Sequence, residues 1–301
     1  MSEGEYPAYM SVKQVAAYLQ LNEKKIYELV KESQIPATKV TGKWLFPRGL
    51  IDRWLIDATH GGLLTDRLNI AGSDDPLFYR LVLAEMNNID SHALISYTPT
   101  GTRMGLRLLQ ARRIDACCLH WGPSAESAMR HPALLEQHRQ HHQWILLHLF
   151  KREQGMLVHP DAMAQADTHT ALFKYRWRWI QRQAGAGSQR FLMEVLGQQG
   201  MNIDDLNLTE VAHSEREAAS LIAMGQADCA PGPRAAATEA GLEFISFGWE
   251  AFDLALPRSI WFRHLLQAVL KRLCSEQGQK MAESFGGYDL TDSGKLLWGE
   301  E

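Results

Sequence analysis

Cysteine is scarce in this chain of 301 residues. It occurs at 117, 118, 229 and 274, with no Cys-x-x-Cys pair. The opening Met-Ser-Glu-Gly-Glu-Tyr-Pro is acidic and has no apolar stretch of a secretory signal, so the thiols are expected to be reduced and buried in a cytoplasmic protein. Long apolar runs are also missing. The richest, Trp144-Ile145-Leu146-Leu147, meets His148 and then Lys151, far short of the ~20 residues of a membrane span. There is no Gly-Lys-Ser/Thr phosphate loop, no Gly-x-Ser-x-Gly elbow and no metalloprotease helix, so no catalytic constellation stands out. No single sign of charge dominates either: a net charge of −4 argues against nucleic-acid binding along the whole chain. The 46% hydrophobic content is too high for a disordered chain, and the length predicts two domains or three small ones.

The charge that is present is unevenly spread. Residues 9–58 carry eight Lys/Arg against five Asp/Glu, whereas residues 59–301 carry 23 against 28. A slightly basic head on an acidic body fits a DNA-binding module joined to something else. In the head, Ser11 precedes Val12, Val15, Ala16 and Leu19 at helical spacing. Asn22 is placed to cap a second helix, from Glu23 to about Ser33, with Ile26, Leu29 and Val30 on its apolar stripe. Two short strands, 37–40 and 44–46, follow across Thr41-Gly42-Lys43, and Pro47 is expected to open a last helix bearing Leu50, Ile51, Trp54 and Leu55. The order helix, turn, helix, wing, helix resembles the winged helix-turn-helix of the excisionase and MerR-type DNA-binding family. The resemblance is carried by residues 9–19, Lys24-Lys25-Ile26-Tyr27, Ile35-Pro36-Ala37 and Gly42-Lys43-Trp44-Leu45-Phe46-Pro47. It implies that Lys24, Lys25 and Tyr27 face the major groove, and that Lys39, Thr41 and Lys43 of the wing reach phosphate or minor groove. Glu28 and Glu32 are expected on the solvated face. Residues 59–66, around Gly61-Gly62, read as a linker.

The body alternates short apolar runs with amphipathic helical stretches, which predicts an α/β fold. One device recurs three times: a strand ends, a glycine turns the chain, and a hydroxyl residue sits near a helix start. It occurs at Gly72-Ser73-Asp74-Asp75-Pro76, at Thr100-Gly101-Thr102 and at Gly185-Ala186-Gly187-Ser188. Such helix starts offer free N–H groups and partial positive charge, suited to a small anion in the crevice at the strand ends. His120, Arg152 and Arg182 are expected at strand ends, facing that crevice. The histidines at 138, 141 and 142 sit in a polar run and are expected on a solvated surface rather than on a metal. Cys117-Cys118 and the tryptophans at 144, 177, 179, 249 and 261 are expected in the core, and residues 259–274 in one packed helix.

From about Asn69 to Leu290 the body resembles the type 2 periplasmic-binding-protein-like domain, found in cytoplasmic regulators beside an excisionase-like head and fused to molybdopterin-biosynthesis proteins. The motifs are residues 72–77, Gly101-Thr102-Arg103-Met104-Gly105-Leu106, Ile114-Asp115-Ala116, His120, residues 152–156, residues 182–190, Gly225-Gln226-Ala227-Asp228 and Gly286-Gly287-Tyr288-Asp289. Three places depart from the family: Gly101-Thr102 for Gly-Ser, Ser214-Glu215 for Thr-His, and Trp121-Gly122-Pro123 for Leu-Leu-Asp. The resemblance implies a two-lobed α/β domain over 67–290, with lobe one at about 67–153 and 252–285, lobe two at about 154–250, and a hinge that ligand closes. It implies a cleft lined by Ser73, Asp74, Gly101, Thr102, His120, Arg152, Gln154, Arg182, Gly187, Ser188, Glu215 and Asp253.

Together the two resemblances imply a one-component transcriptional regulator, not an enzyme. It would bind an operator in double-stranded DNA as a homodimer and sense a small anion such as molybdate, tungstate or a molybdenum-cofactor-related compound, with no covalent cofactor, metal or membrane attachment. The alternative is a cofactor-maturation or transferase enzyme that uses the Gly-rich loops on phosphate, with His120, Glu215 or Asp253 as acid or base.

Overall fold

Two compact units part between Thr65 and Asp66. The computed structural model describes residues 6–32, 34–58, 67–87, 93–165, 169–173 and 176–299, so the expected linker at 59–66 lies outside the described residues.

In the first unit, strand β1 (Tyr9–Met10) leads to helix α1 (Val12–Leu19). Ser11 and Gln14 form a capping box: the Ser11 hydroxyl accepts the Gln14 N–H, and the Gln14 side chain accepts the Ser11 N–H at 2.9 Å. Asn22 caps α2 (Glu23–Lys31) by accepting the Lys25 N–H at 2.7 Å. That helix closes at Glu32, short of the expected end; Ser33 lies outside the described residues. Strands β2 (Thr38–Val40) and β3 (Lys43–Pro47) turn through Thr41 and Gly42, both at positive φ. Pro47 closes β3 instead of opening α3 (Arg48–Ala58), because β1, unforeseen in the sequence, pairs Tyr9 with Pro47 and extends the wing into a three-stranded sheet. Met10, Val15, Ile26, Ile35, Phe46 and Ile51 fill the core.

The second unit begins with three parallel strands, β4 (Arg67–Gly72), β5 (Leu94–Pro99) and β6 (Ala116–Leu119), in the order β5-β4-β6. Helices α4 (Pro76–Met86) and α5 (Thr102–Gln110) connect them, and α6 (Ser127–Leu135) follows. Strand β7 (Trp144–Val158) then leaves this lobe and enters the next. There α7 (Pro160–Met163), α8 (His169–Leu172), β8 (Arg178–Arg182), α9 (Gly187–Gln198), β9 (Asn207–Ala212), α10 (Glu215–Ala223), β10 (Cys229–Pro233) and α11 (Arg234–Ala240) form the second lobe. Strand β11 (Glu243–Pro257) returns antiparallel to β7 along its whole length. Helices α12 (His264–Leu273) and α13 (Glu276–Phe285) and strands β12 (Tyr288–Asp289) and β13 (Leu296–Trp298) complete the first lobe. The path of the sheet is β5-β4-β6-β11-β7-β10-β8-β9. Separate apolar clusters sit in each half: one around Leu68, Phe78, Leu254 and Leu266, another around Met156, Trp179 and Leu192.

Four expectations need correction. Residues 259–274 are not one helix: a 3-10 turn (Arg258–Phe262) is broken by the extended backbone of Arg263, whose guanidinium bonds the Arg67 carbonyl and Asp115. Arg152 does not end a strand but lies inside β7. Cys274, the residue that closes α12, is exposed while Cys117, Cys118 and Cys229 are buried. Trp249 is 41% exposed, because it flanks the irregular pairing of β11 with β7 between Ser246 and Gly248.

Candidate functional site

The floor of the cleft is built by positive-φ glycines. Gly72 has a φ of +117°, and a Cβ there would collide with the Cys118 carbonyl, so only glycine lets the β4–α4 loop fold over β6. Ser73 then turns inward, its hydroxyl 2.8 Å from that of Thr102, which in turn donates to the His120 carbonyl at 3.1 Å. Thr102 and Ser188 stand inside the first turns of α5 and α9 rather than capping them; Gly101 and Ala186 hold the cap positions, and neither makes a side-chain cap bond.

Arg152 sits at the centre, fully buried. It donates to Glu250 at 2.7 Å, to Asp75 at 2.9 Å, to the Asp74 carbonyl at 2.8 Å and to Nδ1 of His120 at 3.2 Å. Burial works against its charge, but Glu250 and Asp75 hold its pKa above the ordinary value. Burial also pushes the Glu250 carboxyl up, to about 7, against the pull of Arg152. His120 is held well below the usual histidine range, first by burial and then by Arg152 and Arg182. It is therefore neutral, and the Arg152 bond assigns the ring proton to Nε2, 3.4 Å from the Ser188 hydroxyl.

The second lobe closes onto this floor. Gly187 lies so near His120 that a Cβ would collide with the imidazole and with its carbonyl. Ser188 donates to Glu215 at 2.7 Å, and Arg182 Nη1 lies 2.5 Å from the other Glu215 oxygen, without hydrogen-bond alignment. Asp74 reaches across to Arg216 on α10, 3.0 Å from its guanidinium, and that guanidinium stacks 3.7 Å from the Tyr79 ring centroid. Three guanidiniums thus meet four carboxylates of the chain's own. Gln154 lies two residues from Arg152 on β7, hence on the same strand face, and both of its amide atoms are buried without a hydrogen-bond partner among the described residues.

The structure gathers Ser73, Asp74, Gly101, Thr102, His120, Arg152, Arg182, Gly187, Ser188 and Glu215 where the lobes meet, with Gln154 on the strand face of Arg152. Asp253 stands apart. Its carboxylate accepts Nδ1 of His131 at 2.6 Å and Nδ1 of His148 at 2.7 Å, and these bonds hold its pKa below the ordinary value although burial opposes them. The sequence reading missed Asp75, Arg216, Glu250 and Tyr288, which donates to Asp75 at 2.9 Å. The Asp-Pro pair at 75–76 is a helix-start signal that could have marked Asp75. Glu250 and Arg216 depend on strand register and on lobe closure, which no local pattern shows.

The histidines at 138 and 141 are engaged elsewhere, His138 with Gln110 at 2.6 Å and His141 with the His138 carbonyl at 2.8 Å. Among the described residues no group of three His, Cys, Asp or Glu is placed to hold a metal, and no helix is long and apolar enough to cross a membrane. In the head, Lys24, Lys25, Tyr27, Lys39, Thr41 and Lys43 are all exposed, as are Glu28 and Glu32. Lys25 meets Glu28 at 3.4 Å, and Lys39 lies 5.6 Å from the Trp44 ring centroid.

A helix-turn-helix domain joined to a two-lobed binding fold defines a class of protein, and comparison with known proteins agrees on both parts. The helix-turn-helix domain family matches residues 9–57 and the PBP superfamily domain matches residues 83–274. The chain belongs to the PBP superfamily. It is 28% identical over 153 residues to the uncharacterized protein YvgK of Bacillus subtilis (strain 168), covering 50% of this chain and about half, 49%, of that relative. Among solved structures it is similar to an OxyR mutant of Corynebacterium glutamicum with hydrogen peroxide bound (12% identity, 91% of this chain and 90% of that one, TM-score 0.53). It is also similar to PEB3 of Campylobacter jejuni bound to L-phospholactate (13%, 73% and 98%, TM-score 0.50). A third likeness is to the tungstate ABC transporter from Geobacter sulfurreducens (13%, 72% and 97%, TM-score 0.50). At these identities the likeness is one of fold.

Proposed function

We propose that the chain is a one-component transcriptional regulator whose head binds DNA and whose body senses a small oxyanion in the cleft between its lobes. The observation that carries the reading is the buried Gln154 amide, whose oxygen and nitrogen both lack a hydrogen-bond partner among the described residues. Folded proteins rarely bury such groups unless a ligand or ordered water completes them. An anion is favoured because α5 and α9 point uncapped N-termini toward the cleft from opposite lobes. The tungstate and phospholactate proteins of the same fold make oxyanions, molybdate and tungstate among them, the first candidates.

The cations of the cleft already hold carboxylates. An entering oxyanion therefore takes the place of Glu215 at Arg182 and Ser188, and the ligand acts through its different affinity for open and closed lobes. In the head, Lys24, Lys25 and Tyr27 on α2 enter the major groove, and Lys39, Thr41 and Lys43 reach the backbone. One module buries too little surface for tight binding, so two copies engage a two-fold repeated operator. This role requires no turnover; the ligand returns unchanged.

The test is calorimetry with molybdate, tungstate, sulfate and phosphate. Removing Arg182 alone would strand the buried Glu215, at a cost of about 3–5 kcal/mol. The informative variants are Glu215→Gln and the double Arg182→Gln, Glu215→Gln. The single variant frees a guanidinium and is expected to bind the preferred oxyanion about tenfold more tightly; the double variant is expected to fold and to lose binding. Wild-type affinity in the double variant would sink the cleft assignment.

A further inference from the structure

Outside the cleft, a pocket of about 330 Å³ opens on the seam between the lobes. Arg103 and Trp121 wall it from the first lobe, and Ala184, Gln189, Arg190 and Met193 from the second. Of the groups lining the cleft, only Arg182 reaches it, together with the loop that follows. No carboxylate lines it among the described residues.

The pocket's three guanidiniums are only partly matched by carboxylates: Arg182 holds Glu215, Arg190 shares Glu194, and Arg103 has none among the described residues. The Arg103 guanidinium lies 5.1 Å from the Trp121 ring centroid and has no carboxylate partner among the described residues. Arg190 meets Glu194 at 2.8 Å, but Glu194 is shared with Arg130 at 2.7 Å. Both walls are held in place by the fold. The Trp121 N–H donates to Nε2 of His131 at 3.1 Å, and His131 is fixed in turn by Asp253. The Arg103 N–H donates across the seam to the Gly185 carbonyl at 3.1 Å, and its side-chain stem packs where a Gly185 Cβ would stand. Trp121 opens the tripeptide at which the sequence departs from the Leu-Leu-Asp of the resembling family.

We propose that this seam pocket is a second ligand site, for a small aromatic carboxylate. Arg103 and Arg190 take the carboxylate, and planar guanidiniums suit that group bidentately. The ring lies against Trp121, Met193 and Ala184, an apolar wall that an inorganic oxyanion would leave wetted. Because its walls come from different lobes, the site is complete only when the lobes are closed. Its ligand therefore favours the closed body, whatever occupies the cleft.

Calorimetry of the full chain with benzoate tests this, with benzamide (same ring, no charge) and acetate (same charge, no ring) as comparisons. Benzoate is expected to bind, and the other two at least about tenfold more weakly. Arg103→Met and Trp121→Leu should each weaken benzoate by about tenfold or more, and circular dichroism should show both folded. Gln154→Leu, a change at a cleft residue that does not line this pocket, should leave benzoate within about twofold of wild type, which separates this site from the cleft. The proposal is overturned by unchanged benzoate affinity in Arg103→Met, by equal binding of benzamide or acetate, or by loss of benzoate in the cleft variant. Absence of benzoate binding at about 10 mM, beyond the weakest useful affinities, also overturns it.

Discussion

Glu250 is the carboxylate on which pH acts within the neutral range. Its ordinary value is 4.5, and in the fold it is raised to about 7 by burial, with Arg152 opposing and Glu215 and Asp75 reinforcing. A group that holds its proton more tightly when folded stabilises the fold below its unfolded pKa, and this contribution is lost as pH rises through the folded one. Glu250 therefore contributes a fall in stability between about pH 4.5 and 7, opposed below about pH 6.5 by His120, which burial keeps neutral in the fold. Glu250→Gln is expected to remove the falling component, as read by urea unfolding at several pH values. A fall of the same steepness in the variant would place the titration elsewhere. At this scale the sequence was informative about some residues and silent about others. Arg152, Arg182 and His120 could be picked out by their expected places at strand ends, although Arg152 proves to lie inside β7. Their partners could not. Glu250 lies 98 residues from Arg152, and only the β7–β11 register sets them side by side. Asp253 was placed in the cleft by the family resemblance, yet two buried histidines on β7 and α6 hold it instead.

At the scale of elements, most of what the sequence implied is present. The strand–glycine–helix device appears three times as expected, with Gly72, Gly101 and Gly185 all at positive φ. The capped helices of the head begin where Ser11 and Asn22 place them. The failures share one cause: pairing with a distant segment overrode a local signal, as when β1 drew Pro47 into a strand and Arg263 broke the expected long helix. The head offers an element-scale prediction. Lys25 on α2 and Lys43 on β3 lie on separate elements and both are exposed, so each can meet its own phosphate. Lys25→Ala and Lys43→Ala should each weaken operator binding and lower the salt slope by about one unit, with oxyanion affinity unchanged. Mobility-shift titrations over a salt series measure this, and an altered sequence preference for Lys25→Ala would show base readout instead.

For the body as a whole, one approach between the lobes leaves the least room. Gly187 touches His120 with no room for a methyl group. Gly187→Ala therefore penalises the closed form and leaves the open form untouched, by about 1–3 kcal/mol if overpacking sets the cost. This would move the equilibrium about fivefold to 150-fold toward open lobes. Small-angle scattering should show a larger radius of gyration, and oxyanion affinity should drop by a matching factor. A variant that scatters and binds like wild type would mean that the lobes do not meet through this contact when ligand is bound.

Strands β7 and β11 run from one lobe into the other, paired antiparallel along their length apart from irregularities at Ser246/Gly248 and Phe252/Asp253. Mechanically they form a two-leaf spring. A paired ribbon flexes readily out of its plane but resists stretching and in-plane shear, since both would break its ladder. A swing of the lobes about an axis across the ribbon would be the motion such a joint allows, and the irregular pairings at Ser246/Gly248 and Phe252/Asp253 are its two weak points. Such a joint returns to the same alignment on every stroke.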